Sequence, residues 1–92
     1  MDESSRYRPA DEVTFQKLGE ETVIVHLGTG RIHHTNSTGS RIWELIENGR
    51  SLGEIRETLL EEFDASPGQL CQELDGFIAQ LAAERMIHAV AE

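Results

Sequence analysis

Arg31-Ile32-His33-His34-Thr35-Asn36-Ser37-Thr38-Gly39-Ser40-Arg41-Ile42-Trp43-Glu44-Leu45-Ile46 changes its period in the middle. Up to Thr35 the side chains alternate as in a strand, with Ile32 and His34 on one face and Arg31, His33 and Thr35 on the other. From Asn36 onward the apolar positions Ile42, Trp43, Leu45 and Ile46 recur at helical spacing, and an asparagine there can accept from the first free amides of a helix. Working upstream, Val13 to Leu18 and Thr22 to Leu27 also alternate, separated by turns at Gly19-Glu20-Glu21 and Gly28-Thr29-Gly30. Connections this short force antiparallel neighbours, so a three-stranded meander is expected, with its first and third strands as edges.

Downstream, Gly49 fits the left-handed position past a helix end. Ser51-Leu52-Gly53-Glu54 has the form of a capping box, and the helix after it presents Leu52, Ile55, Leu59 and Phe63 on one face. Ser66-Pro67-Gly68-Gln69 is a second capping box, with proline at the first helical position where its missing N–H is not needed. The third and longest helix carries Leu70, Leu74, Phe77, Ile78 and Leu81 as one stripe. Gly76 lies inside it with no reason evident in the sequence. After Arg85, Met86 to Val90 fit either a helix extension or a short strand. A small meander is marginal alone, so its apolar face must lie on the helices, giving an α+β fold of a three-stranded antiparallel sheet followed by three helices.

The chain has 92 residues, with 17 acidic and 8 basic side chains for a net charge of -9, and 38% of it is hydrophobic. That length holds one domain and one modest core, expected over residues 13–90, with the polar residues 1–12 as a flexible tail. Cys71 stands alone, which excludes a disulfide framework and multi-cysteine metal sites. It most simply acts as a small apolar side chain in a reducing compartment. The absence of a long apolar run and of a signal-peptide pattern in the charged start points to a cytoplasmic protein without a membrane span.

Charge also narrows the chemistry. Residues 37–92 carry a net of -7 and residues 1–36 a net of -2, and the third helix offers Glu73, Asp75 and Glu84 without a lysine or arginine between Ser66 and Glu84. Nucleic-acid binding relies on neutralising phosphates, so no nucleic-acid partner is expected. Capping accounts for Ser51 and Ser66, Gly28-Thr29-Gly30 lacks the continuation of a phosphate loop, and no nucleophile, base and orienting group share a spacing. A non-enzyme without cofactor follows. Among His26, His33, His34 and His88, His33 and His34 point to opposite faces of a strand, so any metal pair would need His26 as well. Sheet histidines without a metal are the simpler reading.

What remains is strand addition by an extended peptide. The third strand, Arg31 to Thr35, is an edge without proline or interior blocking charge. Four or five backbone hydrogen bonds of about 0.5–1.5 kcal/mol each roughly offset the 2–5 kcal/mol needed to order a peptide, so side-chain pockets must supply the affinity. A groove between this strand and the third helix, walled by members of the Leu70, Leu74, Phe77 and Ile78 stripe, is the expected source, although a core would equally absorb each of them. Arg31, His33 and His34 form a basic island suited to an acidic peptide, whose binding should tighten as the histidines gain charge. The alternative is a structural adaptor or dimerisation module that uses the same edge.

The run from Gly30 to Ile46, with Asn48-Gly49-Arg50-Ser51-Leu52-Gly53-Glu54-Ile55 after it, resembles the PqqD-like family of precursor-peptide recognition elements. The likeness extends from about Val13 to Val90 and is most specific at Asn36-x-Thr38-Gly39 with Ile42-Trp43, then at Ile55, Phe63 and Phe77-Ile78-x-x-Leu81. The resemblance implies a winged-helix-like domain that binds the leader of a ribosomally made peptide, in pyrroloquinoline quinone synthesis or related pathways. It would present the leader to a modifying enzyme such as a radical-SAM enzyme or a leader protease. By the same resemblance the leader pairs with Arg31 to Thr35 and lies against the third helix, where Leu70, Leu74, Phe77 and Ile78 would form the wall; separately, a monomer or weak dimer is expected. Two departures stand out: Arg85 where relatives usually have glycine, and Asn48 where aspartate is common.

Overall fold

A computed structural model describes residues 3–90. In chain order the elements are β1 (Tyr7–Pro9), β2 (Val13–Leu18), β3 (Glu21–His26), β4 (Ile32–His34), α1 (Ser37–Glu47), α2 (Leu52–Glu62), α3 (Pro67–Ala83) and β5 (Ile87–Ala89). β2, β3 and β4 form the expected antiparallel meander in that order, with Val13 opposite His26 and Val23 opposite His34. The third strand is shorter than predicted, because Arg31 and Thr35 lie just outside its regular part.

Each predicted helix start is present, although at Ser66 only the serine half of the expected box forms and the Gln69 side chain does not return to the cap. Asn36 Oδ1 accepts from Gly39 N at 2.8 Å, Ser66 Oγ accepts from Gln69 N at 3.2 Å, and Ser51 and Glu54 complete a reciprocal box. The helices cover the inner face of the sheet: Ile24 of β3 joins Ile42, Trp43 and Ile46 of α1, Ile55 and Leu59 of α2, and Leu81 of α3 in one cluster. Phe15 of β2 meets Trp43 edge-on, with ring centroids 5.6 Å apart. Under the sheet, the Thr22 and Ser40 hydroxyls hydrogen-bond to each other at 2.5 Å, which pairs these two buried groups, whereas the buried Trp43 Nε1 has no hydrogen-bond partner.

Residues 3–12 differ from the expected flexible tail, whose residues 1 and 2 lie outside the described ones. β1 pairs antiparallel with β5, Tyr7 opposite Ala89 and Pro9 opposite Ile87, making a second, two-stranded sheet. Just before it, Ser5 O accepts from Leu52 N and Glu3 O from Gly53 N, each at 2.9 Å. These are the first two amides of α2, which have no partner within their own helix. Gly53 permits this approach, since a Cβ there would sit 3.2 Å from Glu3 O. A polar composition argued for disorder, but the order here comes from backbone bonds to distant segments, which composition does not register. The last apolar residues take the strand alternative: Arg85 turns the chain at φ 60° and Ile87–Ala89 run back against β1.

Candidate functional site

β4 is the open margin of the meander. Thr35 N donates to Thr22 O and His26 N donates to Arg31 O, each at 2.9 Å, so the pairs 22/35 and 26/31 are the hydrogen-bonded ones. Antiparallel alternation then makes 24/33 a bonded pair too and turns the N–H and C=O of Ile32 and His34 outward. Four backbone groups therefore face away from β3, and no described residue pairs with them. β1 does not fill this margin, because it pairs with β5 in a separate sheet.

The two faces of the strand differ. Ile32, 60% exposed, and His34 lie on the outer face with the half-buried Val23 and Val25, whereas Arg31, His33 and Thr35 face the helices. Thr35 is buried and its hydroxyl accepts from Thr22 N at 3.0 Å, which fixes the end of the strand where it enters α1. His33 packs against Phe77 of α3, ring centroids 5.7 Å apart, and its Nδ1 is 3.5 Å from Glu84 Oε1. The acidic partner offsets any charge on His33, so the basic island left to a ligand consists of the exposed Arg31 and His34.

Phe77 marks where β4 meets a groove between the start of α1 and the middle of α3. The groove has a volume of about 370 Å³; Phe77 and the nearly buried Ile42 are its apolar lining, Gln72, Glu73 and Gln80 of α3 and Asn36 and Thr38 at the start of α1 its polar lining, and Gly39 and Gly76 contribute from α1 and α3. Of the four wall residues expected from the stripe, Phe77 faces this space. Leu70, Leu74 and Ile78 are only 2%, 3% and 1% exposed and belong to the core, and none of them lines the groove. The stripe is wider than one contact face, which is why spacing alone could not divide it. The α1 side of the groove, Asn36, Gly39 and Ile42, escaped the sequence reading as a lining; the unexplained Gly76 was the available signal.

No group of three or more metal-ligating side chains occurs among the described residues. His26 is instead a turn residue, its Nδ1 accepting from Gly28 N at 3.1 Å and Thr29 N at 3.2 Å. The carboxylates with displaced titration also have structural explanations away from the groove. Arg41 grips Glu62 with two bonds of 2.9 and 2.8 Å and holds that carboxyl below its ordinary range, tying α1 to α2. The Ser51 amide and hydroxyl do the same for Glu54, with Arg6 and Arg50 adding to the effect. Burial pushes Glu47 upward, and nearby Glu44 reinforces it. No described helix is long and apolar enough to cross a membrane.

Two solved structures share this architecture. TbiB1, in complex with the TbiA(beta) leader peptide, superposes with a TM-score of 0.83 at 28% identity, covering 92% of this chain and 99% of that one. A lasso peptide synthetase B1 complexed with its leader peptide gives a TM-score of 0.80 at 16% identity, covering 90% and 98%, a likeness of fold alone. No curated protein matches significantly. The model of the family Coenzyme PQQ synthesis protein D (PqqD) matches residues 21–87, from the start of β3 to the start of β5. With nearly three quarters of its length inside that match, the chain belongs to the PqqD family.

Proposed function

We propose that this protein binds the leader segment of a ribosomally made precursor peptide by strand addition and presents it to a modifying enzyme, itself carrying out no chemistry. The observation that carries the reading is the unpaired β4 margin beside the groove at Phe77. Ile32 and His34 would supply the backbone bonds, with Arg31, His33 and Thr35 holding the strand in place. Phe77 would be the side-chain wall, while Leu70, Leu74 and Ile78 serve the core. TbiB1, 28% identical over nearly the whole chain, was solved holding a leader peptide, which supports the same use of the fold here. The modifying enzyme would be of the radical-SAM or leader-protease class, and the setting cytoplasmic.

Amide-shift NMR tests this directly, using the ¹⁵N-labelled protein and synthetic peptides that match the first thirty residues of each short reading frame found within its gene cluster. Shifts should concentrate at Arg31 to Thr35 and along α3 from Gln72 to Gln80. Shifts confined to β1, β5 or α2, or a spectrum that does not change, would sink the proposal. Pairing of two copies through β4 is the competing use of the same margin. Gel filtration without peptide separates the two, because the leader-binding reading expects a monomer or a weak dimer.

A further inference from the structure

Gly76 stands in the interior of α3, where glycine is a poor helix former. Two ordinary reasons for such a glycine are missing. Its φ is not in the left-handed region, and a Cβ built on it would meet nothing within 4 Å. Gly39 across the groove is the contrast, since a Cβ there would lie 3.1 Å from Thr35 Cβ and 3.3 Å from Phe77 Cε1. Packing explains Gly39 and leaves Gly76 unexplained.

What Gly76 does is leave the α3 wall of the groove bare at its middle. A protein cavity of about 150 Å³ takes a benzene molecule, so 370 Å³ has room for a phenyl-sized or large branched group. Phe77, with the nearly buried Ile42 beneath it, gives the apolar surface that suits such a group, Thr38, Gln72, Glu73 and Gln80 border it, and the ring of Phe77 links the groove to β4 through His33. Residues of a strand added to β4 point alternately to its two faces, so one of them is directed to the helix side near this opening.

From this we infer that Gly76 is a specificity-determining residue, which keeps the slot between α1 and α3 open for one bulky apolar side chain of the bound strand. The inference rests on the leader-binding reading and narrows it to peptides bearing such an anchor.

The test pans a displayed library of random twelve-residue peptides on wild type, Gly76→Ala and Gly76→Leu, then measures affinities of synthetic peptides from the wild-type pool. Wild-type binders should share one aromatic or large aliphatic anchor, and Gly76→Leu should select peptides with a small residue in its place. A wild-type-selected peptide should lose at least about tenfold in affinity for Gly76→Leu, while its anchor-to-alanine version loses less than about threefold. Gly76→Ala should unfold at the same or a higher temperature than wild type, which separates the slot from a role in folding. Equal affinity of wild type and Gly76→Leu for the anchored peptide, or an equal loss with and without the anchor, overturns the inference and leaves leader binding standing. A folded wild type that selects no peptide overturns both.

Discussion

At the scale of single residues, Arg85 shows a position whose chemistry and conformation disagree. α3 ends with Met86 N donating to Leu81 O at 2.9 Å and Arg85 N to Ala82 O at 3.1 Å, the paired bonds of a Schellman motif, with Leu81 and Met86 both fully buried beside them. α1 ends the same way through Gly49 and Arg50, but there the left-handed position is a glycine, at φ 75°. Arg85 holds φ 60° with a Cβ that disfavours it. Arg85→Gly should therefore stabilise the protein by about 0.5–1 kcal/mol, since the flexibility of glycine in the unfolded chain takes back part of the relief. For a domain this size that is a rise of about 2–8 °C in the thermal midpoint, read by circular dichroism. Asn36, Ser51 and Ser66 were legible in the sequence because each acts on amides three residues away. The left-handed turn at Arg85 was harder to read, because the residue itself is not one that favours it, and only the glycine usual at this position in the family it resembles pointed to it.

At the scale of elements, β4 and the α2 cap each support a prediction. The Ile32 N–H points away from β3, so Ile32→Pro removes no ladder bond, and edge strands tolerate proline on their outer side. The variant should stay folded and lose about fivefold or more in leader affinity by isothermal titration, one hydrogen bond being gone and the margin obstructed. His33→Pro would break the bond to Ile24 and destabilise the sheet, which makes it the control that separates binding from folding. In the α2 cap, Ser51 N donates to Glu54 Oε1 at 2.9 Å and lowers that carboxyl from the usual 4.5. A group depressed in the folded state contributes stability that is complete above its unfolded value and is lost as pH falls through its folded one. Wild type should thus exceed Glu54→Gln in urea midpoint near neutrality, and the gap should close well below 4.5. A gap that stayed constant with pH would remove the charge from the explanation. The meander and three helices were readable because alternation, turns and caps are all local. β1 and β5, three residues each, are too short to show a sustained alternation, and their pairing joins segments about eighty residues apart in sequence.

At the scale of the whole molecule, the sheet at the termini and the sheet at the site are separate structures with separate tasks. The meander leaves its β4 margin open, while residues 3–10 occupy β5 and the start of α2. Charge follows a similar division: the acidic excess lies in the helical part of the sequence, and of the basic residues at the margin His34 stands on the other side of β4 from Glu84, while Arg31 is exposed at the start of the strand. Removal of residues 1–10 would forfeit the bonds Ala10 N to Met86 O, Val90 N to Arg6 O, and those to Leu52 N and Gly53 N. At about 0.5–1.5 kcal/mol each, offset in part by the freed chain entropy, the net loss should be about 2–4 kcal/mol, a large share of the 5–15 kcal/mol typical of a small domain. Urea unfolding should show it as a clear fall in midpoint, and hydrogen exchange should accelerate first at Leu52 and Gly53, whose amides lose their acceptors. A truncated protein with an unchanged midpoint would mean that the terminal strand is a passive tail after all. Since neither β4 nor Phe77 touches this sheet's ladder, leader affinity measured well below the unfolding transition should change by less than about twofold, showing that the site depends on the meander and helices while the terminal pair serves stability.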